Sequence, residues 1–176
     1  SYRRPDFFER LFVVNADTPG RILASGFQSI PCAVERTMQV DWLIGCAMVF
    51  RAEVFKEFLF DERFSGYARY EDVDFSYRVG KKYRLFVVAE AMVEHLLRLE
   101  RIEDSFALGR MEVINRLYFV KKNSDLSLTL CLWALSGLLF NNIIKGLLGF
   151  NQRYNLRARG NISGFMAFFS RKAWKK

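Results

Sequence analysis

The sequence predicts an α/β chain. Two apolar, β-prone runs point to strands: "VDWLIGCAMVFR" at Val40–Arg51 and "YRLFVV" at Tyr83–Val88. Phe106, Met111, Ile114, Leu117 and Tyr118 recur at helical spacing between about Ser105 and Lys122. At 176 residues, 51% of them apolar, the chain is long enough for one domain with a real core and too apolar to be disordered.

Taken in order, Asp6 to Phe12 reads as a short helix, followed by loops at "NADTPG" and "SIPC". Val40–Arg51 is a buried strand or strand-turn with Gly45 at its centre, where a glycine marks a bulge or a close approach of backbone to a ligand. Ala52–Phe58 is a short helix. Glu71–Lys82 is another, with acids in its first turn, where the helix dipole favours them. No repeat and no low-complexity run interrupts the chain.

Charge is unevenly placed. The net charge is +8, and the last acid is Asp125. Beyond it lie eight bases: Lys145, Arg153, Arg157, Arg159, Arg171, Lys172, Lys175 and Lys176. The neutral front and basic, Leu- and Phe-rich tail point to an anionic membrane surface rather than to nucleic acid. Residues 126–144 carry no charge, a length that qualifies as a membrane span. Ser127, Asn141, Asn142 and Lys145 share one side of the helical wheel, and a span would send the basic end outward. The expectation is an amphipathic helix in the interface or a shallow hairpin, with a second amphipathic piece from Ile162 to Trp174. The other reading is that both helices cover a soluble core.

Cys32, Cys46 and Cys131 form no CxxC, which argues against a zinc site or a disulfide framework and fits a reducing compartment. The single histidine, His95, rules out a multi-histidine metal centre within this chain and makes a metal-dependent phosphatase or nuclease a poor reading. Ser1 opens the chain with no signal-peptide pattern, so the expectation is a start within a longer protein.

The acids of "FSGYARYEDVDFSYRVG" (Phe64–Gly80) are the candidate chemistry. Glu71 and Asp72 suit a helix start, and Asp74 can pair with Arg78 at i,i+4. Asp61 and Glu62 lie just upstream. Carboxylates gathered at a loop–helix junction also suit a general base.

The succession "VDWLIGCAMVFRAEVF", "LFDERFSGYARYEDVDFSYRV", "YRLFVVAEAMVEH" resembles the second half of the catalytic domain of family 2 glycosyltransferases, most closely the bacterial, rhamnosyltransferase-like branch that builds cell-surface polysaccharides. The likeness covers roughly residues 40–120. It implies the C-terminal portion of a GT-A, Rossmann-like fold over residues 1–122, followed by a basic amphipathic tail over 123–176. It further implies an inverting displacement from a nucleotide-sugar donor to a glycan or lipid-linked acceptor on the cytoplasmic face of the cell membrane. Asp72 matches the catalytic base, with Glu71 beside it. Trp42 and Gly45 match a segment near the two sugars. His95 matches a histidine that in some members holds the divalent metal or the diphosphate. Arg78 has two readings, facing the diphosphate or pairing with Asp74. Tyr67 and Tyr70 also have two, stacking on a sugar ring or packing.

The chain departs from the family pattern in places. Leu59-Phe60 stands where a glycine usually precedes "FDE", and "SGYARY" differs from the usual aromatic pair. The donor-binding front half and its DxD motif are absent, and "DVD" at Asp72–Asp74 belongs to the acidic helix. Mg or Mn is therefore expected only with that front half, and these residues alone are expected not to turn over. The alternative is a non-catalytic membrane-surface or interaction module.

Overall fold

A computed structural model describes residues 3–32, 34–64, 70–94 and 104–170. Five helices and two short strands make up their regular structure: α1 (Phe7–Leu11), β1 (Met38–Val40), α2 (Glu71–Gly80), β2 (Leu85–Val87), α3 (Asp104–Lys122), α4 (Leu128–Leu147) and α5 (Gln152–Phe169). Single 3-10 turns lie at Gly45–Ala47 and Ala52–Lys56.

The expected α/β architecture is not found. The described residues are 52% helix and 5% strand, and this is not a Rossmann-like fold. A Rossmann-like sheet needs parallel strands joined by crossover helices. Here β1 and β2 pair only with each other, antiparallel, with Met38 opposite Val87 and Val40 opposite Leu85. The run from Val40 leaves the strand conformation at Asp41 and turns at Gly45. Trp42 goes into a helical core instead, donating from Nε1 to the Ser29 carbonyl at 2.9 Å.

That core joins the front of the chain to its tail. Phe27, Trp42, Phe64, Tyr70 and Val73 pack with Val113 and Leu117 of α3 and with Cys131 and Leu135 of α4. A smaller cluster under the ribbon holds Val40, Val54, Phe75, Val79 and Leu85. Phe60 lies flat on Phe75, with ring centroids 4.2 Å apart.

The helices meet at glycines. A Cβ on Gly160 of α5 would lie 2.2 Å from the Phe106 carbonyl oxygen of α3, and one on Gly109 would lie 2.4 Å from the Arg157 carbonyl oxygen. Gly164, one turn beyond Gly160, is equally close to Arg110 and Val113. Asn161 sits between them, fully buried. Its Nδ2 donates to the Gly109 carbonyl at 2.8 Å, and its Oδ1 accepts from Asn142 Nδ2 at 2.9 Å, so one side chain ties α3, α4 and α5 together.

The expected polar stripe on α4 is present but points inward. Asn142 is buried, and Ser127 caps the helix. The outward row is apolar instead: Trp133, Phe140, Ile144 and Leu147 are all exposed. Residues 128–147 form one continuous helix rather than a hairpin. The second amphipathic piece begins at Gln152, ten residues before the expected Ile162. Asp6 starts α1 with a capping box shared with Glu9. The helix is strapped to α4 by Trp133, which donates to the Leu11 carbonyl at 2.9 Å and stacks on Phe12.

Gly160→Leu forces a side chain into the backbone of α3. It is expected to lower stability by about 2 kcal/mol or more, read as a lower urea midpoint. A midpoint equal to wild type would show that the helices do not cross here.

Candidate functional site

The site is built at the entry to α2. Residue 70 precedes the helix in the left-handed region, at φ 91°, an uncommon conformation for a tyrosine. Its side chain holds it there. The Tyr70 hydroxyl contacts the Gly26 carbonyl (2.9 Å) and Gln28 Oε1 (2.6 Å) and accepts from Arg116 Nε. Burial pushes its phenol well above the ordinary value. Tyr70 is 4% exposed and belongs to the core, so packing, not sugar stacking, describes it.

This anchoring sets Glu71 and Asp72 on the first turn, facing the loop after β1. Asp72 Oδ2 accepts from the Gly45 N–H at 2.9 Å, and Oδ1 accepts from the Val73 N–H at 2.8 Å. Ser76 adds a second staple, accepting from the Leu43 N–H at 3.0 Å and donating to the Asp72 carbonyl at 2.5 Å. Gly45 eases the approach, because a Cβ there would lie a tight 3.2 Å from Asp72 Cβ and 3.3 Å from Oδ2. The structure thus brings Gly45 and Asp72 together across 27 positions of the chain, with Glu71 beside Asp72 as its neighbour in sequence. Trp42 lies beneath this loop, 4% exposed, as a packing residue.

Glu71 has a different environment from its neighbour. Its Oε2 is buried and meets no hydrogen-bond partner. Burial, with the Asp72 charge adding to it, raises the carboxyl above its ordinary value. A carboxyl tuned upward and held beside a fixed carboxylate suits proton transfer.

The remaining acids form a separate group on the other side of α2. Asp74 is fully buried and pairs with Arg78 Nε at 2.9 Å and with Lys122 Nζ at 2.9 Å. Lys122 also reaches Asp61 Oδ2 at 2.7 Å, where the Tyr118 hydroxyl donates at 2.8 Å. Burial acts to raise the Asp61 carboxyl. Lys122, Tyr118 and the Arg63 N–H outweigh it and bring the carboxyl down to about 2. Arg78 is therefore an ion-pair partner that also donates to the Leu59 carbonyl at 2.7 Å. The sequence motifs point to neither Lys122 nor Arg116, and to Tyr118 only as part of the helical spacing of α3. Arg116 had a signal, a charge set within the apolar spacing of α3.

His95 and Tyr67 lie outside the described residues. Among the described residues, no three of His, Cys, Asp and Glu gather so as to hold a metal ion. Both Asp72 oxygens already accept backbone N–H bonds. No family model, curated protein or solved structure compared with the chain matches it.

The folded Glu71 carboxyl titrates above its unfolded value of 4.5. The stability linked to it is fully present below that value and is lost as pH rises through the folded one. Glu71→Gln is expected to melt higher than wild type at neutral pH and level with it at about pH 4. A melting difference that does not change with pH would remove the burial argument.

Proposed function

We propose that the chain carries the acceptor side of an inverting glycosyltransferase that works on a membrane surface, with Asp72 as general base. The observation that supports it most is the Asp72 carboxylate, pinned against the Gly45 backbone at the start of α2 with the upshifted Glu71 beside it. The motif order that resembles family 2 glycosyltransferases supplies the reaction class. An acceptor hydroxyl attacks the anomeric carbon of a nucleotide-sugar donor in line. Its proton passes to the Asp72 carboxylate, the new glycosidic C–O bond forms, and the bond to the diphosphate breaks with inversion. The two N–H bonds hold the carboxylate still while its remaining lone pairs receive the proton.

A second reading has its own observation. Both Asp72 oxygens are engaged, and with Ser76 they staple the Gly45 loop to α2. A non-catalytic module would need them for that alone.

The membrane part rests on α4. Its 20 residues have mean hydropathy 1.4, long and apolar enough to cross a membrane by length and composition. Its inner side is nevertheless committed to α3 and α5 through Cys131, Leu135 and Asn142. We place the exposed row Trp133, Phe140, Ile144 and Leu147 in the headgroup region of the cytoplasmic leaflet. Phe150 extends the row, and Arg153 and Arg157, which lie beside it, supply charge for the anionic lipids.

In the protein as expressed from its own gene, Asp72→Asn is expected to cut sugar transfer by about 100- to 10,000-fold without changing the melting temperature by more than a few degrees. Transfer that survives in the folded variant would favour the module.

For the membrane, Phe140→Asp with Leu147→Asp is expected to weaken partitioning onto phosphatidylserine-containing vesicles at least about tenfold. Added salt should weaken the wild type as well. Unchanged partitioning of the double variant would reject this face as the contact.

A further inference from the structure

A cavity of about 500 Å³ opens between α1, α3 and α4, on the far side of the Tyr70 ring from the acidic turn. That is within the size of a small-molecule site. Arg116 lies at its wall, 5% exposed, with its guanidinium 3.6 Å over the Phe27 ring. Its Nε is used by the Tyr70 hydroxyl, but its buried Nη1 has no hydrogen-bond partner. The nearest acid, Glu112 Oε1, is 3.7 Å away, an ion pair beyond hydrogen-bond reach. An unmade bond on a buried guanidinium costs free energy that an incoming oxygen would recover.

The rest of the lining says what kind of oxygen. Arg3, Arg116 and Lys145 are matched by Asp6, Glu9 and Glu112, so the cavity has no surplus charge. A phosphate or a polyanion would meet as many carboxylates as cations. Gln28 and Asn141 add amide groups, and the Gln28 NH2 is not used by its bond to Tyr70. Phe8, Val14, Phe27 and Leu138 provide apolar wall. Donors, acceptors and ring faces in balance suit a neutral polyhydroxylated ligand, whose vicinal hydroxyls donate to a carboxylate and accept from a guanidinium or amide.

We infer that this cavity is a saccharide-binding site, with the unpartnered Arg116 Nη1 and the Asn141 amide as its hydrogen-bonding poles. The site is separate from the Asp72 turn, and the inference concerns binding alone, so it does not depend on the transfer reading. Tyr70 connects the two: its hydroxyl reaches Gln28 and Arg116, and its backbone starts the turn that carries Glu71 and Asp72.

The test is saturation-transfer NMR on the whole chain with the methyl glycosides of glucose, galactose and mannose, with lactose and cellobiose, and with inorganic phosphate as a separate arm. At least one saccharide is expected to give a signal. Asn141→Phe fills the mouth from a half-buried helix position and is expected to cut that signal about tenfold or more. Arg116→Gln should do the same wherever it folds. If Arg116→Gln does not fold, Asn141→Phe decides. No signal from any saccharide with the folded wild type would overturn the inference, as would binding of phosphate alone. A saccharide signal that Asn141→Phe leaves intact would overturn it too. A saccharide signal lost in Asp72→Asn but kept in Asn141→Phe would put the sugar at the acidic turn and overturn this site while leaving the transfer reading standing; a signal lost in Asn141→Phe supports this site whatever becomes of transfer.

Discussion

Everything else in the molecule depends on α3 and α5 touching backbone to backbone. Gly109 and Gly160 lack the atoms that would hold the helices apart, and Gly164 continues the contact for another turn. So close an approach leaves no room for apolar side chains at the crossing, and the polar backbone there must be satisfied. Asn161 does this, donating to the Gly109 carbonyl while its own oxygen is covered by Asn142 of α4. The spacing Gly160–Gly164 is the small-xxx-small pattern by which helices pack closely when apolar burial cannot drive them together. The same contact recruits α4, because Asn142 must face inward to reach Asn161.

That requirement explains the odd surface of α4. A helix has limited circumference. Asn142, Cys131 and Leu135 take the inner side, so the residues left outside are Trp133, Phe140, Ile144 and Leu147. Polar-in and apolar-out is the reverse of a water-exposed cover helix. The strap from α1 adds to the same side, since Trp133 is fixed by the Leu11 carbonyl and by Phe12, which fits only because Gly137 offers no Cβ.

The acidic turn is legible in the sequence to a useful degree. A helix from Asp6, a helix from Glu71, and the Asp74–Arg78 pair at i,i+4 all follow from local rules, and the structure contains each of them. Gly45 was expected to mark a bulge or an approach of backbone to a ligand; what lies against it is the chain's own Asp72 carboxylate. Three things were not legible, each for a non-local reason. The apolar runs at Val40 and Tyr83 suit strands by composition, but a sheet needs neighbours, and these two pair only with each other over three residues. The direction of α4 depended on Asn161, 19 positions beyond Asn142. The split of the acids into two groups depended on Lys122, which reaches both Asp61 and Asp74 from the end of α3.

The split matters for chemistry. Had Asp61 and Asp74 shared a pocket with Glu71 and Asp72, mutual repulsion would have raised several of the carboxyls together. Lys122 and Arg78 instead neutralise the first two and fix them to α3 and to the Leu59 carbonyl. Asp74 keeps one buried oxygen without a partner but is neutralised through the other by Arg78 and Lys122, whereas Glu71, beside the well-held Asp72, has a buried, unpartnered oxygen and no cation paired with it among the described residues. The position of Glu71 is set by Tyr70, whose strained backbone is paid for by bonds to Gly26, Gln28 and Arg116. Arg116 in turn belongs to α3, the helix locked by the glycine crossing. The geometry of the acidic turn is thus inherited, through one tyrosine and one arginine, from a contact between two helices that carry none of its carboxylates.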